Sequence, residues 1–223
     1  MAQGTEPRAS DLASKLLIPA TAADVASILF SLDCSPIRIR IGGYPACGKT
    51  TLSRKIIDRS KRALHVESES WILPLVDRKT RDLSGAHPES YDIPRAVNDL
   101  HSLINARPVY LPTYSHKLGS HDGGQMVEML PNWDLVLDGT PFTLCEFDDF
   151  STLCLFLVPA SFEDWLTQAI QRDVETRFFT RAEATRHNMR KARDLELVWV
   201  RSPRALSVKC HLSPPEYYYE AKS

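Results

Sequence analysis

The stretch IGGYPACGKTTLSRK at 41–55 holds Gly43, four intervening residues, then Gly48-Lys49-Thr50. It matches G-x-x-x-x-G-K-[ST] at every required position, and the pattern has a physical reason. Glycines let the backbone curl so that successive N–H groups point at one anion, and a helix N-terminus adds its positive dipole end. In such a loop the lysine reaches the β- and γ-phosphates of a nucleoside triphosphate, and the hydroxyl sits on Mg²⁺. Gly43, Tyr44, Pro45, Ala46, Cys47, Gly48, Lys49, Thr50 and Thr51 are therefore expected to cradle the phosphates of ATP, with Lys49 catalytic and Thr50 a metal ligand. Cys47 has two readings: a small, inert loop residue, or a thiol whose pKa the anion-binding turn lowers.

Transfer of a phosphoryl group to a hydroxyl needs a carboxylate to orient the acceptor and cations around the phosphoryl oxygens. HVESES (65–70) offers Glu67 and Glu69, and LVLDG (135–139) offers Asp138. Glu69 is the expected orienting base, with Glu67 as the alternative, and Asp138 is expected to hold the metal or its water shell. The run QRDVETRFFTRAEATRHNMRKARD (171–194) carries seven Arg or Lys residues. Such a run is usually a solvated helix face. After a core strand of a phosphate-binding protein it is a candidate lid, with Arg172 and Arg177 closing on phosphate.

These groups need elements to hold them. PIRIRIG alternates Ile37, Ile39 and Ile41 with arginines, a strand pattern that runs into the glycines. TLSRKIIDRSKRAL then puts Leu52, Ile56 and Ile57 on one helical face. ALHVES (63–68), PNWDLVLDGTPF, STLCLFLVPA and RALSVKCHL supply further strands. DLASKLLIP, TAADVASILFSLD with Thr21 as N-cap, PRAVNDLHSLINA (94–106) and SFEDWLTQAIQRDVETR supply helices. Strands alternating with helices predict an α/β fold of the P-loop NTPase kind: a parallel five-stranded sheet flanked by helices, with an Arg-rich lid. In such sheets ligands gather at the carboxyl ends of the strands. Gly123-Gly124 is expected to form a mobile tip near the acceptor.

Composition narrows the classes. A formal net charge of −1 and a pI near 6.7 argue against bulk electrostatic binding of nucleic acid. No apolar run approaches the roughly 20 residues that cross a bilayer, and MAQGTEPRASD lacks a charged-then-apolar leader, so a cytoplasmic protein without membrane contact is expected. The five cysteines have no spacing of a metal knuckle or redox pair.

GGYPACGKTTL, SESWILP, GAHPESYD, LPTYSH and QRDVETR, in that order and spacing, resemble the uridine kinase, phosphoribulokinase and pantothenate kinase group of P-loop kinases, from about residue 36 to 212. HPESYD is similar to stretches of both uridine and pantothenate kinases, and PTYSH is closest to pantothenate kinases. The resemblance implies an ATP- and Mg²⁺-dependent kinase that moves the γ-phosphate to a hydroxyl of a small metabolite. With the two helices read before residue 36, the expected organisation is an N-terminal helical extension over 1–35 and a P-loop kinase domain over 36–223 with a lid at about 172–195. Glu69 falls where the family has an aspartate that activates the acceptor. Asp92, Tyr114 and one of His116 or His121 fall where it contacts the acceptor, and Arg172 and Arg177 match its lid arginines. Asp138 stands where the family usually has a metal-binding glutamate.

The chain departs from the family at telling positions. Glutamate at 69 is one methylene longer than aspartate, Ala169 replaces a further arginine, and Phe178-Phe179 replaces a glycine-arginine pair. The Tyr114–His121 spacing is two residues longer than in uridine kinases, and there is no room for the long C-terminal part of pantothenate kinases. The reaction is therefore better specified than the acceptor. His87, Asp92, Tyr114, His116 and His121 lie in two Pro-bearing stretches around one amphipathic helix, and are expected to line a pocket for a nucleoside, sugar, pantothenate-like or specialised metabolite. Relatives by resemblance are often homo-oligomers, which makes a homodimer the expectation. The rival from a different class is an ATP-binding regulator without phosphotransferase activity.

Overall fold

A computed structural model describes residues 21–31, 36–60, 62–212 and 215–219. The helix read at DLASKLLIP and Cys34 lie outside the described residues. Along the chain run α1 (Ala22–Phe30), β1 (Arg38–Gly43), α2 (Lys49–Arg59), β2 (Ala63–Glu67), a 3₁₀ turn (Ser68–Trp71), α3 (Leu75–Thr80), α4 (Ile93–Ile104), β3 (Val109–Ser115) and β4 (Ser120–Val127). Then follow β5 (Asp134–Asp138), β6 (Leu153–Pro159), α5 (Phe162–Arg177), α6 (Arg181–Val200), β7 (Leu206–Leu212) and β8 (Pro215–Tyr219).

Helix ends follow their caps. Thr21 Oγ1 accepts from the Asp24 N–H (3.2 Å) while the Asp24 carboxylate accepts from the Thr21 N–H (3.0 Å), a reciprocal pair that starts α1. Ser161 does the same one-sidedly for α5 (3.2 Å to the Asp164 N–H).

The main sheet has the order β2-β5-β1-β6-β7-β8. The first five strands are parallel, as the alternating pattern predicts, and β8 adds an antiparallel sixth strand on β7. Buried on both faces, β5 and β6 are nearly continuous apolar runs, whereas β1 between them alternates isoleucine with arginine, and alternate residues sort to opposite sides. Val136, Leu155, Leu157, Ile39 and Ile41 pack with Val25, Leu29, Leu52, Ile56 and Trp165 from α1, α2 and α5. Leu135, Leu137, Cys154 and Phe156 pack on the other side with Leu100 and Leu103 of α4 and Leu195 and Val198 of α6. Arg40 points to that second side and is 1 % exposed. Its guanidinium donates to the Phe142 and Leu144 carbonyls (3.0 Å each), to Ser151 Oγ (2.6 Å) and to Asp148 Oδ1 (2.7 Å), so each of its three nitrogens keeps an acceptor on burial.

One expectation is corrected. Gly123-Gly124 is not a tip: both residues lie inside β4, which pairs antiparallel with β3 in a separate ribbon. The reversal comes at 116–119 instead, and β3 carries a register shift between Pro112 and Tyr114. The basic run at 171–194 is shared between two helices: Phe178 adopts a left-handed conformation (φ 57°) that ends α5 at Arg177, and Thr180 then caps α6.

Candidate active site

β1 ends in the glycines, and the chain turns at 44–48 before α2 begins at Lys49. Gly43 has φ 116°, and a Cβ there would collide with the Leu157 carbonyl of the neighbouring β6, so no side chain fits. The loop is braced from three sides. The Thr140 hydroxyl donates to the Gly43 carbonyl (2.9 Å), the Trp165 indole N–H of α5 to the Pro45 carbonyl (2.7 Å), and the Tyr217 hydroxyl of β8 to the Gly48 carbonyl (3.2 Å). Tyr44 meets Trp165 edge-on, 5.1 Å between centroids.

Lys49 Nζ lies over the loop and donates to the Gly43 (3.1 Å) and Tyr44 (2.9 Å) carbonyls. Burial lowers its pKa and the charge of Asp138 opposes that. Thr50 and Thr51 are exposed at the start of α2. Cys47 is buried, and desolvation pushes its thiol up to about 12, so the lowered pKa considered from the sequence is corrected: the dry core outweighs the nearby Lys49.

Asp138 ends β5 beside Ile41 of β1, is 6 % exposed, and has one carboxylate oxygen, Oδ2, without a hydrogen-bond donor. A buried acceptor left open beside a phosphate-type loop fits a divalent cation. Next to it, Gly139 has φ 149°, and a Cβ there would run into Ser68, so glycine lets the 3₁₀ turn that carries Glu69 press against the end of β5.

Glu69 is the focus of the second half. His116 Nε2 is 3.0 Å from Glu69 Oε1, and His121 Nε2 is 3.2 Å from the Glu69 carbonyl. Tyr114, directly across the ribbon from His121, packs edge-on against both histidines (5.3 and 5.6 Å). Glu69 and Tyr114 line a cavity of about 250 Å³ with His65, Glu67, Thr113 and Gln125. Of the sequence-derived acceptor residues, Tyr114, His116 and His121 thus meet at Glu69. His87 instead accepts from the Glu89 N–H (3.1 Å), and Asp92 caps α4 through the Arg95 N–H (3.1 Å). Short polar side chains ahead of helical turns satisfy N–H groups that have no partner inside the helix. Asp92 stays close to the turn, its own N–H bonded to the Trp71 carbonyl (2.9 Å). Trp71 itself is core, 2 % exposed, its indole N–H on Asp99 (2.7 Å).

On α5, Arg172 donates twice to Asp173 Oδ1 (3.1 and 2.8 Å) and Arg177 Nε lies 3.6 Å from the same oxygen. Asp173 is fully buried, and its other oxygen accepts from Asn188 (3.0 Å) and faces Lys191 Nζ at 4.0 Å. Burial alone raises the Asp173 pKa, but Lys191, Arg172 and Arg177 outweigh it and hold the carboxyl below its usual range. Burial, followed by Arg177, drives Lys191 down to about 7, and Lys49 adds to that repulsion. One aspartate therefore gathers three cations on the helices next to the phosphate loop.

Sequence reasoning missed Lys191, Arg78 and His65. Lys191 had a signal: with Ala184, Asn188, Ala192, Leu195 and Val198 it forms the buried stripe of α6 at helical spacing. Arg78 is buried and donates to the Tyr114 hydroxyl (2.6 Å), yet in VDRKTRD it reads as one more surface cation.

This is the fold of a P-loop kinase, with a site built at the carboxyl ends of the parallel strands. No protein-family model matches the chain. A uridine kinase of Lactobacillus johnsonii is 31 % identical over 87 residues, which cover 35 % of this chain and 40 % of that enzyme. The chain spans between 40 % and 52 % of the length of the curated uridine kinases it matches. Among solved structures, a candidate fructose transport system kinase from Silicibacter sp. TM1040 superposes with a TM-score of 0.65 at 18 % identity, covering 84 % of this chain and 98 % of that one. Phosphoribulokinase from Rhodobacter spheroides gives a TM-score of 0.55 at 12 % identity, covering 78 % and 71 %. These likenesses support the family expected from the motifs, the uridine kinase- and phosphoribulokinase-like P-loop kinases. Among the described residues, no helix is long and apolar enough to cross a membrane.

Proposed function

We propose that the protein is an ATP- and Mg²⁺-dependent kinase that phosphorylates a hydroxyl of a small cytosolic metabolite. The observation that carries this reading is that the phosphate loop, the open carboxylate of Asp138 and Glu69 follow the adjacent strands β1, β5 and β2 of one sheet, and the β3–β4 ribbon brings Tyr114, His116 and His121 to Glu69. Lys49 and the loop N–H groups hold the β- and γ-phosphates. Thr50 and Asp138 hold Mg²⁺, which supplies charge neutralisation on the phosphoryl oxygens. Arg172 and Arg177 neutralise the transferring group from the lid. Glu69 orients the acceptor hydroxyl, His116 holds the Glu69 carboxylate in place, and Tyr114 with His121 forms the wall on which the acceptor rests. A nucleoside is the first acceptor to try, in keeping with the curated relatives, and sugars and pantothenate-like hydroxy acids follow.

The test is ATP consumption across nucleosides, sugars, pantothenate and hydroxylated natural products, with mass detection. One compound gaining a single phosphate supports the reading. ATP binding with no acceptor-stimulated turnover across the panel counts against it and for a nucleotide-binding regulator.

A further inference from the structure

Within the site just proposed, the geometry points to a cation site formed by His65, Glu67 and Asp138 that prefers Mn²⁺ to Mg²⁺. It rests on the kinase reading only for what the ion would serve. β2 and β5 are parallel, with Glu67 opposite Asp138 and His65 opposite Val136. Residues two apart on a strand share a face, so register alone brings the imidazole and both carboxylates to the same side of the sheet. One ligand atom from each lies within 4.8 Å of the others.

The second observation is a pair of unsatisfied atoms. Asp138 Oδ2 and His65 Nε2 are both buried and lack hydrogen-bond partners, yet they face each other at 3.5 Å. Native proteins leave few such atoms, and each asks for an explanation. Metal–ligand bonds of about 2.0–2.2 Å set ligand atoms roughly 3–4 Å apart, and the 3.5 Å between His65 Nε2 and Asp138 Oδ2 falls in that range. The Glu67 side of the triangle is exposed and opens on the 250 Å³ cavity, so an ion can enter with its waters.

The donor set decides the metal. Mg²⁺ takes oxygen ligands and keeps its waters, whereas an imidazole suits the transition-metal ions. Two carboxylates and one histidine therefore favour Mn²⁺, the member of that series nearest to Mg²⁺ in its taste for oxygen.

Titrating the full, nucleotide-free chain with Mn²⁺, with free aqua-Mn²⁺ read by electron paramagnetic resonance, tests this directly. One Mn²⁺ per chain is expected, displaced by Mg²⁺ only in large excess. His65→Gln should weaken Mn²⁺ binding about 10-fold or more, and His65→Asp, which supplies oxygen in place of nitrogen, should reverse the preference. Melting curves on both variants separate a lost ligand from a lost fold. No Mn²⁺ retention by the wild type, or undiminished retention by a folded His65→Gln, overturns the site and leaves a plain His65–Asp138 contact. Phosphoryl transfer with Mg²⁺ but without Mn²⁺ retention overturns this inference and keeps the kinase reading. Mn²⁺ retention without any transfer does the reverse.

Discussion

Glu69 carries a carboxylate that points at one histidine and a carbonyl that receives another, so its position is fixed from two directions. On the proposed reading that fixation answers for the extra methylene, since a longer side chain reaches a defined point only if it is held there. Glu69→Gln should lower acceptor phosphorylation by about 10²–10⁴-fold while ATP binding, followed by a fluorescent analogue, stays within experimental scatter. A regulator would be indifferent to the change. Asp173 is the other residue on which much depends. Asp173→Asn leaves Arg172, Arg177 and Lys191 facing one another without their anion, and urea unfolding should register a loss of about 3–5 kcal/mol. Its pH signature has a definite sign. The folded chain holds this proton less tightly than an ordinary aspartate at 3.8, so the stabilisation is complete above that value and drains away as pH falls through the lower folded one. Lys191 acts in the opposite range. The unfolded lysine stays protonated to about 10.5 and the folded one only to about 7, so across that window the unfolded state binds more protons and this group's contribution rises with pH. Lys191→Met should flatten the urea midpoint between about pH 7 and 10.

At the scale of elements, the strand–loop–helix at 38–59 is a single device, and Gly43 is the point where it cannot be altered. Gly43→Ala sets a Cβ against the Leu157 carbonyl in a conformation that L-residues rarely adopt. Binding of ATP should be lost, and the melting temperature should drop, as calorimetry with and without nucleotide would reveal. The device was legible in the sequence because Ile37, Ile39 and Ile41 have strand period and Leu52 and Ile56 helical period on either side of the glycines. The same holds for the buried strands β5 and β6, whose apolar runs have no other plausible home. The β3–β4 ribbon was not legible. Pro112 and Gly123-Gly124 argue against strands locally, and β4 is exposed along its middle, so it carries no alternation. That miss hid the pairing of Tyr114 with His121, which is a property of register rather than of either stretch alone. His65 was overlooked for a related reason: its link to Asp138 runs between paired strands offset by 71 positions in the chain.

Across the whole molecule, the sheet separates two cores, and the proposed catalytic groups collect where both reach the strand ends. α5 and α6 tie the halves together. Trp165 braces the phosphate loop, and Asp194 of α6 accepts from the Ser84 N–H (3.3 Å) on the segment leading to His87. Nucleotide binding should therefore be felt globally as well as in one loop. At 100 times its dissociation constant, ATP with Mg²⁺ should add about 2.7 kcal/mol of stability, or roughly 5–10 °C in melting temperature for a chain of this size. Lys49→Ala should melt normally and show no such rise.

The brace between Tyr217 and the Gly48 carbonyl joins residues 169 positions apart. A ribosome adding about 5–20 residues per second needs on the order of ten seconds to pass from one to the other. During that interval the phosphate loop has left the tunnel without its far support. On the proposed reading, nucleotide affinity would then be among the last properties a newborn chain acquires, and cellular ATP, however abundant, would select finished molecules instead of guiding their birth.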